Sequence, residues 1–170
     1  MQNSASNMDI LYLYTYRNAD PRNNGQNAEG MTIKEGSATG NMICGIRSYE
    51  NADDGIDLYE FTGPVLILDN IIFDNGVSQW NFNPYRDGIG IKLGGGSEAG
   101  RRPVNHESRN NFSFRNRRGF SDNMPGQMTL VHNTTWKNRE EGFNQRPAYA
   151  TYTNSLAAHN RDTSALDHQN

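Results

Sequence analysis

The run Asn51-Ala52-Asp53-Asp54-Gly55-Ile56-Asp57 crowds three carboxylates into five positions. Like charges so close repel one another unless water or a cation screens them. A solvated turn, with Asp as a turn former, accounts for such a run taken alone. If a turn-to-strand junction converges these side chains, they would instead suit calcium, which takes about six to eight hard oxygen ligands in irregular geometry. The run is not an EF-hand loop, because the ligand spacing and the terminal Glu are missing.

A second chemistry-bearing stretch is Asp87-Gly88-Ile89-Gly90-Ile91-Lys92-Leu93-Gly94-Gly95-Gly96. Lys92 stands between two apolar residues, so a strand there would point it away from them. The usual fate of such a lysine is a place on the surface. The glycines that follow would let a polymer approach the backbone closely.

These residues need a scaffold, and the sequence repeats. A charged residue, Gly and an apolar residue recur as Glu29-Gly30-Met31, Asp54-Gly55-Ile56, Asp87-Gly88-Ile89, Arg118-Gly119-Phe120 and Glu141-Gly142-Phe143. Between them recurs aromatic-x-Asn, as Tyr49-Glu50-Asn51, Phe73-Asp74-Asn75, Phe114-Arg115-Asn116 and Trp136-Lys137-Asn138. Asn70, Asn111 and Asn133 precede the aromatic in three of these copies, with Ile46 in the first. A unit of roughly 22 to 25 residues, with insertions, predicts one turn of a parallel β-solenoid carrying about three short strands. The expected fold is all-β, a right-handed parallel β-helix of about five turns, right-handed as strand crossovers within one sheet almost always are. Asn or Gly is expected at the sharp corners, where Asn tolerates left-handed backbone and can stack on the Asn of the next turn. In such a coil Glu29 falls one turn before Asp53, a strand spacing of about 4.8 Å away, and brings a fourth carboxylate to the other three. Leucine-rich repeats share the period but not the Leu spacing, and a β-sandwich would not need the same Asn at the same offset.

The bulk properties agree with a thin core. Hydrophobic residues are 34% and charged residues 21% of the 170, and the mean hydropathy is −0.86. Short apolar runs such as Val65-Leu66-Ile67-Leu68 recur through the middle, bounded by Gly or Asn. We expect residues 1–26 to form an N-terminal segment with a partial coil, 27–147 the β-helix core with its sites, and 148–170 a degenerate last coil with a disordered tail. Two insertions, Gly76 to Arg86 and the Gly-rich Gly94 to Arg102, flank the strand that carries Lys92, and long loops on a repeat scaffold tend to cluster on the binding face. The net charge of −3 gives no overall basic excess for nucleic acid. No stretch is long enough to span a membrane, and the start lacks the apolar run of a signal peptide. Cys44 is the sole cysteine and is expected to be a small buried hydrophobe.

The stretch from Asn51 to Leu58, followed by Gly90-Ile91-Lys92-Leu93-Gly94-Gly95, resembles the polysaccharide lyase family nine pectate lyases. Arg118-Gly119-Phe120 and Thr129-Leu130-Val131-His132-Asn133-Thr134 are similar too, and the likeness runs roughly from Asn27 to Phe143. It implies a right-handed parallel β-helix that is secreted and binds calcium (Ca2+). Carried over by position, the calcium ligands are Asp53, Asp54 and Asp57, with Glu29 where the family usually has Asp, and Lys92 is the base. The implied partner is an acidic polysaccharide, polygalacturonate or pectin, cleaved by β-elimination. Cation proximity and partial burial are both expected to favour the neutral amine that a base requires. Arg86, Arg101, Arg102 and Arg118 are candidates to pair with substrate carboxylates. Trp80 and Tyr85 are candidates to stack on sugar rings. The chain is shorter than such enzymes, so a non-catalytic carbohydrate-binding β-helix is the leading rival. A polygalacturonase-type hydrolase using Asp54 and Asp87 as acid and base is the second.

Overall fold

The computed structural model describes residues 2–3, 5–77, 87–94, 102–122, 125–145 and 149–161. Every strand pairing in it is parallel, and the chain winds as a right-handed β-helix. One six-stranded sheet holds β2 (Asp9–Leu11), β6 (Asn41–Cys44), β9 (Val65–Leu68), β12 (Glu107–Arg109), β15 (Gln127–Val131) and β18 (Tyr149–Thr153). A second holds β3 (Tyr14–Tyr16), β7 (Arg47–Tyr49), β10 (Ile71–Phe73), β13 (Phe112–Phe114), β16 (Thr134–Trp136) and β19 (Leu156–Ala158). The third, which carries the candidate site, is five-stranded: β4 (Met31–Thr32), β8 (Ile56–Asp57), β11 (Ile89–Lys92), β14 (Arg118–Asp122) and β17 (Phe143–Gln145). A short fourth sheet pairs β1 (Gln2–Asn3) with β5 (Lys34–Gly36). Each turn of the chain visits the three main sheets in order, and β18 and β19 open a sixth turn.

Alternation along these short strands fills a narrow column. Ile33, Ile43, Ile56, Ile67, Ile91 and Phe120 are fully buried in it. Cys44 falls in the opposite phase to Ile43 and is only half-buried on the outer face. The sequence expectation of a buried Cys44 is therefore corrected, by the two-residue period of the strand.

The corners explain the Asn repeat. In each aromatic-x-Asn copy the middle residue takes the left-handed conformation: Glu50, Asp74, Arg115 and Lys137 have φ between 52 and 55°. Asn was expected to take that role, but it sits one residue later and buried, where its amide serves the coil instead. Asn51 donates to Asn75 at 2.9 Å, and Asn75 to Asn116 at 3.0 Å. Asn116 in turn donates its backbone N–H to Asn138 Oδ1 at 3.0 Å, and Asn138 donates to Asn160 at 2.9 Å. A second ladder runs from Asn70 through Asn111 to Asn133. Buried corners would otherwise strand backbone polar groups, and the ladders satisfy them.

The glycine repeat also acquires a reason and a correction. Gly30, Gly55, Gly90 and Gly119 stack in one column, as the pairings Met31↔Ile56, Ile56↔Ile91 and Ile91↔Phe120 require. A Cβ on Gly90 would run into Ser113 Oγ and approach Gly119 O to 2.8 Å. The copy in the third turn is thus Ile89-Gly90-Ile91, two residues beyond the Asp87-Gly88-Ile89 that the sequence pattern suggested. The insertion ahead of it shifted the apparent register.

Candidate active site

Asp57 and Lys92 share one column of the five-stranded sheet, Thr32↔Asp57↔Lys92↔Ser121. Their flanking residues Ile56, Leu58, Ile91 and Leu93 all point into the core, so the strand period turns Asp57 and Lys92 outward together. Asp53 and Asp54 precede β8 at the corner, and backbone bonds from Asp53 N to Ala28 O (3.2 Å) and from Gly30 N to Asp54 O (2.8 Å) bracket Glu29 against them. Asp87 enters from the start of the next turn. Glu29, Asp53, Asp57, Asp87 and Lys92 line one pocket together with Gln26, Asn27, Lys34 and Tyr59, and Asp54 lies buried beneath it.

Inside the pocket two lysines divide the acids. The Lys92 ammonium lies 3.0 Å from Asp54 Oδ2, 3.2 Å from Asp87 Oδ2 and 3.8 Å from Asp57 Oδ2. Lys34 donates to Glu29 Oε1 and lies 3.3 Å from Asp57 Oδ2. Both ammonium groups hover over the ring of Tyr59, at 5.7 Å for Lys34 and 5.9 Å for Lys92. Asp54 is completely buried, and its Oδ1 accepts from Ile89 N at 2.7 Å. Asp53, Asp54 and Asp87 each offer an oxygen within 4.8 Å of the others.

The charges are uncomfortable without a further cation. Burial pushes the Asp53 carboxyl up, and the neighbouring Asp54 charge pushes it further, against the pull of Lys92. Burial likewise raises Asp54 and Asp57, with Lys92 opposing it in both. Among the described residues, Asp53 Oδ1 and Asp57 Oδ1 are buried with no hydrogen-bond partner. Buried carboxylate oxygens in that state fit a hard cation, since each can supply a ligand without giving up a hydrogen bond. Lys92 departs from its sequence expectation. Burial does press it toward the neutral amine, but Asp54, Asp57 and Asp87 outweigh burial and raise it above its ordinary value. With these carboxylates charged, Lys92 is an ammonium. Lys34 follows the same pattern: burial lowers it, Asp57 and Glu29 raise it, and the acids prevail.

The structure thus brings Glu29, Asp53, Asp57 and Lys92 to one pocket, with Asp54 beneath them. Arg118 is not among the pocket residues; it pairs with Glu140 and Glu141, at 2.8 Å each. Arg102 is exposed, ahead of Val104 and also off the pocket wall. Trp80, Tyr85, Arg86 and Arg101 lie outside the described residues. Sequence reasoning missed Lys34 and Tyr59, and considered Asp87 only as a hydrolytic acid. The signal for the first two was strand phase: Lys34 and Tyr59 lie two positions after Thr32 and Asp57, so they share the outward face.

Residues 1–160 match the family model described as Pel9A-like, right handed beta helix region. The chain belongs to the Pel9A-like right-handed β-helix family. Among relatives of this family, it is 40% identical to "Pectate lyase PEL9" of Emericella nidulans, over 99% of this chain and 46% of that protein. It is 36% identical to "Pectate lyase L" of Dickeya dadantii, over 81% of this chain and 32% of that protein. The solved structure of pectate lyase Pel9A superposes with a TM-score of 0.74 at 31% identity, covering 95% of this chain and 44% of that one. The chain therefore spans less than half the length of the Pel9A-like relatives it matches. Among the described residues, no helix is long and apolar enough to cross a membrane.

Proposed function

We propose that this chain carries the catalytic core of a calcium-dependent, secreted pectate lyase, which cleaves polygalacturonate by β-elimination. The observation that carries the reading is the convergence of the Lys92 amine with Asp57 and Asp87 in one pocket, over the buried Asp54. Asp53, Asp54 and Asp57, with Glu29 as fourth, are the residues that would hold calcium; the unpartnered buried oxygens of Asp53 and Asp57 support that choice. Calcium bound among them supplies positive charge that offsets the negative charge building on the uronate and weakens the field that keeps Lys92 an ammonium.

The chain's own groups do the rest. Lys92 Nζ, as the free amine, takes the proton from C5 of the uronate, next to its carboxylate. The electron pair left on C5 forms the C4–C5 double bond, and the C4 glycosidic oxygen departs with the pair of the broken C–O bond. The sugar then carries an unsaturated end, and Lys92 carries the proton. Asp54 and Asp87, at hydrogen-bond distance from Nζ, aim the amine. Tyr59 offers an aromatic face at the same mouth.

The test is absorbance of unsaturated uronate released from polygalacturonate, with and without chelator. The reading requires chelator-sensitive product that disappears in Lys92→Ala. Saturated product ends would mean hydrolysis, and calcium binding without turnover in this chain would mean the carbohydrate-binding rival.

A further inference from the structure

We propose that Lys34 is the resident counter-ion of the cation seat: its ammonium holds Glu29 Oε1 and Asp57 Oδ2, and a divalent cation takes those two oxygens only in exchange for it. The inference rests on the calcium reading above and adds a residue that the reading does not use.

The geometry divides the acids unequally between the pocket lysines. Lys92 serves Asp54 and Asp87, Lys34 serves Glu29, and Asp57 Oδ2 lies between them, 3.3 Å from Lys34 and 3.8 Å from Lys92. The Glu29 side chain is 8% exposed and that of Asp57 only 1%, so water does little to share in neutralising them. Lys34 is thereby the nearest ammonium to two residues offered as ligands. An oxygen engaged by an ammonium is a poor simultaneous ligand, and two positive centres in one small nest repel. Asp53 Oδ1 and Asp57 Oδ1 are left over: both are buried without a hydrogen-bond partner among the described residues, and they mark where a cation can bind first without displacing anything.

Lys34 has somewhere to go. It sits at the start of β5, its side chain is 19% exposed, and the Tyr59 ring is 5.7 Å from its Nζ. Rotation about its flexible stem would let the ammonium stay on that ring face while releasing both carboxylates. Glu29 matters here too, because its longer side chain reaches the lysine from the corner before β4. The exchange predicts that Lys34 and Glu29 act on cation affinity as a coupled pair and not as independent charges.

The experiment is calorimetric titration of calcium chloride into the chain as it stands, Lys34→Met, Glu29→Gln and the double variant. Lys34→Met is expected to tighten calcium binding by about tenfold or more, since a competing charge leaves the seat. Glu29→Gln is expected to cost less than about threefold alone, because it removes a ligand and loosens the competitor together, but about tenfold once Lys34 is gone. Lys34→Gln, which keeps a donor without the charge, guards against a folding failure of Lys34→Met and is expected to tighten binding too. The calcium-induced rise in Tm should likewise be larger in either Lys34 variant than in the unaltered chain. Unchanged or weaker binding in both Lys34 variants would overturn the proposal, as would the same loss from Glu29→Gln in both backgrounds. If the unaltered chain binds calcium and the Lys34 variants bind it equally, the Lys34 proposal alone falls; if none binds, the calcium reading falls with it.

Discussion

Lys92 Nζ stands 3.0 Å from Asp54 Oδ2, across a turn of the β-helix and 38 positions along the chain. The acid has no contact with solvent and the lysine little. Truncating Lys92 therefore leaves a buried carboxylate without its partner. Lys92→Ala should lose unsaturated-uronate release and, in chelator, lose about 3 kcal/mol of stability. Urea melts in chelator check the second outcome, and calcium should restore part of the loss.

Asp53 should show the opposite behaviour. Burial and Asp54 raise its carboxyl in the folded state, so folding favours the protonated form. A group raised in this way contributes stability that is complete below its unfolded value of 3.8 and is lost as pH rises toward the folded value. Asp54 and Asp57 are raised too and add to the same trend. In chelator, stability should fall as pH rises above about 4, and Asp53→Asn should flatten that fall and gain about 1–2 kcal/mol at neutral pH. The same variant should abolish most of the calcium-induced rise in Tm. Thermal melts across pH, with chelator or calcium, measure both.

His106 sets an acid limb of different origin. It is fully buried before β12, and its Nδ1 accepts from Val65 N at 3.1 Å, so it is neutral. Burial lowers it from 6.5 to about 4. A lowered histidine contributes stability that is present above its unfolded value and lost as pH falls toward the folded one. Between pH 6.5 and 4 this site should cost about 3 kcal/mol. His106→Gln should remove that slope while leaving the calcium-sensitive limb in place, a separation that urea melts at pH 4 and 6.5 would read.

The Asn ladder can be tested at its middle rung. Asn111 donates to Ile67 O, Ser108 Oγ and Asn133 Oδ1, and accepts from Asn70. Asn111→Ala would leave several buried groups unpaired, at about 3 kcal/mol or more. Equilibrium urea unfolding should show the loss, and the melt of Asn111→Asp should lie no higher than that of Asn111→Ala, because Asp adds a buried charge.

Gly90→Ala addresses register and site together. The added methyl would press on Ser113 Oγ, Asn116 Nδ2 and the Gly119 carbonyl, two of them at 2.7 and 2.8 Å. We expect a loss of about 2 kcal/mol or more and weaker calcium binding, since the adjacent Ile89 N–H holds Asp54 Oδ1 at 2.7 Å. Gly88→Ala would separate a general cost from the column effect: it should destabilise the corner, where φ is 55°, without closing the Gly90 column.

The repeat of Asn, aromatic and Gly was legible in the sequence because every turn of a solenoid must bury the same positions and close the same corners. That periodicity determined the parallel β-helix and put the acidic run at a corner with Lys92 on a nearby strand. Residue type also told which groups could do chemistry. What only the tertiary structure decided is pairing. An insertion breaks the count between Asn75 and Ile89, so the stacked glycine is Gly90 and not Gly88. Which acid each lysine chooses depends on distances of a few ångströms between neighbouring turns, and those depend on coil stacking and strand phase. Lys34 with Glu29, and Lys92 with Asp54 and Asp87, could be placed only once the turns were laid on one another.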